Sequence, residues 1–142
     1  MAQIFEVVVF TASMQAYADP VIDCLDTEAI VSRRFYRDSC REDGKGAYVK
    51  DLSILRDHPG RIIIIDNSPE AYQLQPENAL PCPTWVQDPE DTYLRDVVPF
   101  LQTLATVADV RNVLGLRLPS NVQLQLSKSQ LAGASNSSAS SQ

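Results

Sequence analysis

Arg61-Ile62-Ile63-Ile64-Ile65-Asp66-Asn67-Ser68-Pro69 is the stretch whose reading decides the fold. Four consecutive isoleucines are too apolar for a strand with one wet face, so they predict a strand buried on both faces of a parallel sheet. The run stops abruptly in two oxygen-bearing side chains, Asp66 and Asn67. Ser68 and Pro69 follow as helix-start residues, the proline suiting a first helical turn. Polar groups at the carboxyl end of a buried parallel strand stand where open α/β sheets bind ligands. A carboxylate beside an amide also suits a hard cation such as Mg²⁺. The same residues equally suit a strand end that caps the next helix.

On the amino side, Ile4-Phe5-Glu6-Val7-Val8-Val9-Phe10 is a second apolar run that ends in polar residues, Thr11-Ala12-Ser13. Apolar residues at Met14, Tyr17, Ala18, Val21, Ile22 and Leu25 then carry helical spacing, with Asp19-Pro20 marking a turn or kink. A strand feeding a helix in this way is half of a βαβ unit. Ala29-Ile30-Val31 opens a third extended segment that runs into Arg33-Arg34-Phe35-Tyr36-Arg37. A turn at Glu42-Asp43-Gly44-Lys45-Gly46 precedes a short strand or loop at Ala47-Tyr48-Val49-Lys50-Asp51-Leu52.

On the carboxyl side, Glu70 to Leu74 reads as a short helix, followed by a loop with Pro76, Pro81, Pro83 and Pro89. Trp85 in that loop reads as a packing anchor. Leu94, Val97, Val98, Leu101 and Leu104 predict an amphipathic helix over 91–105. A last helix over 109–114 stops at Gly115. From Pro119 the composition changes. Eight of the last 24 residues are serine, so 119–142 reads as a disordered tail behind a domain at 1–118.

The length of 142 residues allows one domain with a real core. Net charge is -6 and the tail holds one Lys and no acid, so the body carries -7. That acidity argues against direct nucleic-acid binding. No apolar run reaches a membrane span and the amino terminus does not open as a signal peptide. Cys24, Cys40 and Cys82 are odd in number and scattered, which fits reduced intracellular thiols better than disulfides or zinc. Cys40 and His58 stand in no catalytic motif, and His58 beside Pro59-Gly60 reads as a loop residue.

By chemistry alone the informative set is Thr11, Lys50, Asp66 and Asn67, each at or near a strand end. A hydroxyl, an ammonium and a carboxylate–amide pair together suit a phosphoryl group and its magnesium. Singly each has a plainer reading: Thr11 and Asp66 as helix caps, Lys50 as a solvated lysine.

Phe10-Thr11-Ala12-Ser13, Tyr48-Val49-Lys50-Asp51-Leu52 and Ile65-Asp66-Asn67-Ser68-Pro69 resemble the second, third and fourth motifs of the small carboxy-terminal-domain phosphatases. These belong to the haloacid dehalogenase superfamily, with the dullard nuclear-envelope phosphatases as close relatives. The resemblance runs from about Phe5 to Leu118. It includes Tyr17-Ala18-Asp19-Pro20, Phe35-Tyr36-Arg37-Asp38-Ser39-Cys40 and Asn78-Ala79-Leu80-Pro81 ahead of Trp85. It implies an α/β fold, a Rossmannoid parallel sheet with helices on both faces. It also implies a Mg²⁺-dependent phosphatase of phosphoserine and phosphothreonine proteins, working through an aspartyl-phosphate in the nucleus, nuclear envelope or cytoplasm. By position, Thr11 would bind phosphoryl oxygens, and Lys50 would pair with them and with Asp66. Asn67 would bind Mg²⁺ with Asp66 behind it, and Arg37 and Tyr17 would face the substrate.

One motif departs from the pattern. The family's first motif, Asp-x-Asp-x-Thr, supplies the nucleophile and the general acid/base, and it occurs nowhere in the 142 residues. The resemblance therefore implies a chain that starts inside the domain, with the nucleophile strand missing, and that is inactive as written. The competing expectation is a non-catalytic phosphoprotein-binding or scaffold domain.

Overall fold

In the computed structural model, which describes residues 3–116, the isoleucine run divides its side chains between two cores. Ile63 and Ile65 pack with Leu80, Val97, Phe100, Leu101, Leu104, Val110 and Leu114. Ile62 and Ile64 pack on the opposite side with Leu52, Leu55, Tyr72 and Ala79. Successive side chains of an extended chain point to opposite faces, so an unbroken apolar run is what a strand between two cores requires. Burying a side chain such as Leu80, Leu104 or Phe100 contributes about 1.5–3 kcal/mol.

Among the described residues the fold is α/β, built from two parallel strand pairs and one antiparallel pair. Strand β1 (Val7–Phe10) is followed by helix α1 (Gln15–Leu25) and strand β2 (Val31–Phe35), which pairs parallel to β1. A hairpin of β3 (Arg41–Glu42) and β4 (Tyr48–Val49) comes next. Strand β5 (Ile64–Asp66) then pairs parallel to β6 (Ala79–Pro81). Helices α2 (Tyr93–Asp96), α3 (Val98–Leu104) and α4 (Arg111–Leu114) follow. One face of β5–β6 meets α3 and α4; 3₁₀ segments at Leu52–Leu55 and Pro69–Tyr72 supply the other. No strand pairing joins β1 to β5 among the described residues.

Several boundaries differ from the sequence reading, each for a local reason. The predicted helix over 91–105 is two helices, because Pro99 cannot donate an amide and takes the first turn of a fresh helix. The predicted helix over 70–74 is the 3₁₀ turn Pro69–Tyr72, closed by Ala71 N–H to Ser68 O. The first strand begins at Val7 rather than Ile4, which is 49% exposed. The strand of the isoleucine run covers only Ile64–Asp66. Trp85 is 63% exposed and belongs to neither core of the described residues. The serine-rich stretch from Pro119 lies outside the described residues.

Buried polar groups tie the pieces together. Asn78, 1% exposed, donates to the carbonyls of Pro59 and Ile62 at 2.7 Å each, holding the entry to β5. Tyr36 and Arg34 donate to Asp19, fastening β2 to α1. Gly60 has no room for a Cβ, which would lie 2.7 Å from the Asp109 carboxyl carbon, and Gly60 O accepts from Val110 N–H. Asp51, 4% exposed, accepts from Ser53 N–H, Gln75 Nε2 and Arg41.

The Asp51 and Asp109 carboxyls both sit below the ordinary range. Burial pushes Asp51 up, but hydrogen bonds from Ser53 and Gln75 and the Arg41 charge outweigh it. Hydrogen bonds from the Arg111 side chain and backbone bring Asp109 down to about 2. The folded chain therefore binds fewer protons than the unfolded one in acid, so their contribution is complete above the unfolded carboxyl pKa of about 4. It is lost as pH falls toward 2. A flat Tm from neutral pH to about 5 and a fall below about 4 is expected. Calorimetry across pH should show that fall reduced in Asp109→Asn, and an unchanged profile would remove Asp109 from the account.

A candidate phosphoryl-binding cleft

The β3–β4 hairpin delivers one wall of a cleft of about 610 Å³. Its turn is closed by Asp43, whose carboxylate accepts from Lys45 and Ala47 N–H, with Gly44 and Gly46 at φ of 77° and 90°. Glycine takes these left-handed angles without a Cβ penalty. Lys50 leaves the hairpin with its N–H bonded to Ala71 O, which carries it alongside the carboxyl end of β5. There Lys50 Nζ meets Asp66 Oδ2 at 2.5 Å, the two side chains only 13% and 10% exposed. The second Asp66 oxygen accepts from Ser68 N–H at 2.8 Å. Asp66 thus pairs with Lys50, as the resemblance implied, and ties down the Ser68 N–H; the 3₁₀ segment that follows is capped by Ser68 rather than by Asp66. Both Asp66 oxygens are engaged, one by Lys50 and one by Ser68.

Asn67 lines the same cleft beside Lys50 and Asp66. Its Nδ2 donates to Thr84 Oγ1 at 3.0 Å, which fixes the amide and leaves Oδ1 with no hydrogen-bond partner among the described residues. The loop after β1 forms the opposite side through Ala12. Thr11 Oγ1 accepts from Ser13 N–H at 3.1 Å, and Arg37 Nε donates to Ala12 O at 2.7 Å. The Arg37 guanidinium lies 4.9 Å over the Tyr48 ring. Lys50, Asp66 and Asn67 are therefore brought together directly, while Thr11 and Arg37 border them through Ala12 and Tyr48. Tyr17 is 72% exposed on α1 and does not line the cleft.

Tyr48 and Thr84 were not singled out from the sequence. Tyr48 stands two residues before Lys50, the same-face spacing of an extended chain, and that signal was available. Thr84 is separated from Asn67 by 17 positions, and only the β5–β6 pairing brings it near.

Neighbouring thiols are not primed for attack. Burial raises the Cys40 thiol, with the Lys50 charge opposing the shift in part. Burial, then the Asp66 charge, raises Cys82. His58 Nδ1 accepts from Gly60 N–H and serves its own turn.

Magnesium keeps several waters and takes one or two carboxylates with near-octahedral geometry. Asn67 Oδ1 is a suitable inner oxygen, and Asp66, already bonded to Lys50 and Ser68, suits a place behind a bound water. These residues fit part of such a site. Among the described residues no cluster of three His, Cys, Asp or Glu side chains completes one.

Residues 1–111 match the family described as NLI interacting factor-like phosphatase. The CTD nuclear envelope phosphatase 1B of Danio rerio is 47% identical over 119 residues, covering 83% of this chain and 48% of the relative. A probable C-terminal domain small phosphatase of Dictyostelium discoideum is 50% identical over 114 residues, 80% of this chain and 37% of the relative. The CTD small phosphatase-like protein of Homo sapiens is 46% identical over 114 residues, 80% of this chain and 41% of the relative. The chain spans less than half the length of each of these relatives. A family match over most of the chain, carried by both nuclear-envelope and small-phosphatase relatives, makes this protein a member of the NLI interacting factor-like phosphatase family.

Proposed function

We propose that the cleft is the phosphate-holding side of a phosphoserine/phosphothreonine protein phosphatase site, and that this chain alone binds phosphate without hydrolysing it. The observation that carries the reading is the Lys50–Asp66 pair at the end of β5, beside the Asn67 Oδ1, which has no hydrogen-bond partner among the described residues. Lys50 Nζ keeps two further protons for phosphoryl oxygens while Asp66 holds it in place. The Thr11 hydroxyl, at the end of β1, is a donor for a third oxygen. Arg37, held by Ala12 O and Tyr48, keeps its terminal guanidinium nitrogens for a fork contact. Asn67 Oδ1, with Asp66 behind it, would hold Mg²⁺, which would supply charge neutralisation of the phosphoryl oxygens. Tyr17, exposed on α1, stands as a contact for the peptide rather than the phosphate.

Hydrolysis in this family is expected to need the Asp-x-Asp-x-Thr nucleophile and acid/base, which this sequence lacks. The acids lining the cleft do not replace it: Asp66 is paired with Lys50, and Glu70 is exposed and bonded by the Ser68 hydroxyl. That same observation favours the second reading, a non-catalytic phosphoprotein-binding domain. The nuclear-envelope names of relatives support a nuclear or nuclear-envelope setting. No helix among the described residues is long and apolar enough to cross a membrane.

Inorganic phosphate titrated into the chain and followed by calorimetry should bind weakly, with binding lost in Lys50→Ala. p-Nitrophenyl phosphate with Mg²⁺ should not turn over. Turnover that disappears in Asp66→Ala would overturn the inactive reading, and phosphate binding indifferent to Lys50 would overturn the site.

A further inference from the structure

Strand β4 and the residue after it turn alternate side chains to opposite sides. Val49 faces the interior at 3% exposure, and its neighbours Tyr48 and Lys50 both line the cleft. The Arg37 guanidinium lies over the Tyr48 ring, 4.9 Å from its centroid, within the range at which a ring face attracts a cation. Arg37 itself comes from a different part of the chain. It opens the 3₁₀ turn Arg37–Ser39 after β2, where its N–H donates to Ser13 O at 3.1 Å. Its Nε donates to Ala12 O at 2.7 Å, in the loop after β1.

Arg37 is exposed, yet a side chain held at Nε and against a ring has few rotamers left. Its two terminal nitrogens have no partner among the described residues. They present the planar fork that suits two phosphate oxygens. Lys50 Nζ likewise keeps two protons beyond the one given to Asp66. The two cations also converge. Burial raises the Cys40 thiol, and Lys50 and then Arg37 are the cations that oppose the shift, so both charges are felt at one atom.

We propose that Tyr48 is a positioning residue, whose ring aims Arg37 at the same phosphate that Lys50 binds. This rests on the phosphoryl reading of the cleft and adds to it a residue that acts through another. Sequence places Arg37 and Lys50 13 positions apart; the hairpin brings them to one anion by carrying Tyr48 and Lys50 together. The contact is made by the ring face, so Phe at this position serves and Leu does not.

Inorganic phosphate is titrated into the full chain and its variants by calorimetry. Arg37→Ala should weaken binding about tenfold or more, the loss of charge-assisted hydrogen bonds. Tyr48→Leu should weaken it about two- to fivefold, the range of an exposed cation–ring contact, and Tyr48→Phe should bind as the unaltered chain does. In an Arg37→Ala background, Tyr48→Leu should cost nothing further. The Arg37 Nε–H resonance, assigned by its loss in Arg37→Ala, should be shifted by the ring in the unaltered chain and in Tyr48→Phe but not in Tyr48→Leu. Phosphate binding unchanged in Arg37→Ala or in Tyr48→Leu overturns the proposal. So does an equal loss from Tyr48→Leu with and without Arg37, which would make the ring a support of the hairpin alone. Absence of Lys50-dependent phosphate binding in the unaltered chain is the separate failure of the phosphoryl reading, and this inference falls with it.

Discussion

An extended peptide built on Asp-x-Asp-x-Thr with apolar flanks is expected to raise the Tm of this chain by about 10 °C and to convert self-associated chain into monomer. The structure gives the reason. Strand β1 pairs only with β2, and β5 only with β6, so each has one backbone edge without a ladder partner among the described residues. Both edges belong to apolar strands, Val7–Phe10 and Ile64–Asp66, and β1 is only half-buried. Apolar strands with open edges are templates for pairing with another chain. The resemblance implies a nucleophile strand between these two edges. A strand filling that place bonds on both sides, and each hydrogen bond is worth about 0.5–1.5 kcal/mol net. A ligand that binds only the folded chain adds about 2.7 kcal/mol at a hundred times its Kd. At this chain length that is a Tm rise of about 10 °C. Sedimentation with and without peptide, paired with calorimetry, checks both halves. A monomer whose transition is unmoved by the peptide, and matches that with a proline-interrupted control, would show the edges to be inert.

In a chain extended at its amino end by that strand, Lys50→Ala is expected to lower kcat/KM by about 10²–10³-fold, or 2.7–4 kcal/mol of transition-state stabilisation. Lys50 is held by Asp66 inside the cleft at 13% exposure, where a fixed charge acts with little screening by water. Asn67→Ala is expected to lose a similar factor through weakened Mg²⁺ binding, and to be partly restored by raising the metal concentration. Lys50→Ala has no such remedy. Steady-state kinetics across a Mg²⁺ series separates the two. Near-normal rates in either variant would remove that residue from the mechanism.

The elements written in local periodicity were legible from the chain alone. The isoleucine run and the apolar spacing of Met14 to Leu25 gave a buried strand and α1, because period and burial are properties of neighbours in sequence. The motifs around Thr11, Lys50 and Asp66 gave the family; of the residues they named, Lys50, Asp66 and Asn67 line the cleft and Thr11 does not. Spacing along the chain could not by itself give the Asp66–Lys50 pair, which the resemblance implied. It depends on Lys50 arriving from a hairpin and lying 16 positions from Asp66, while the turn after β5 is capped by Ser68. Trp85 differs for the same kind of reason: whether a tryptophan among prolines is buried depends on what packs over it, and here it is left 63% exposed. Asn67 held by Thr84 and Arg37 lying over Tyr48 likewise follow from which strands lie side by side. Sequence alone determined the strands, the main helix and the chemical inventory; the tertiary structure decided which of those groups meet, because contact between distant residues is set by packing and pairing rather than by spacing along the chain.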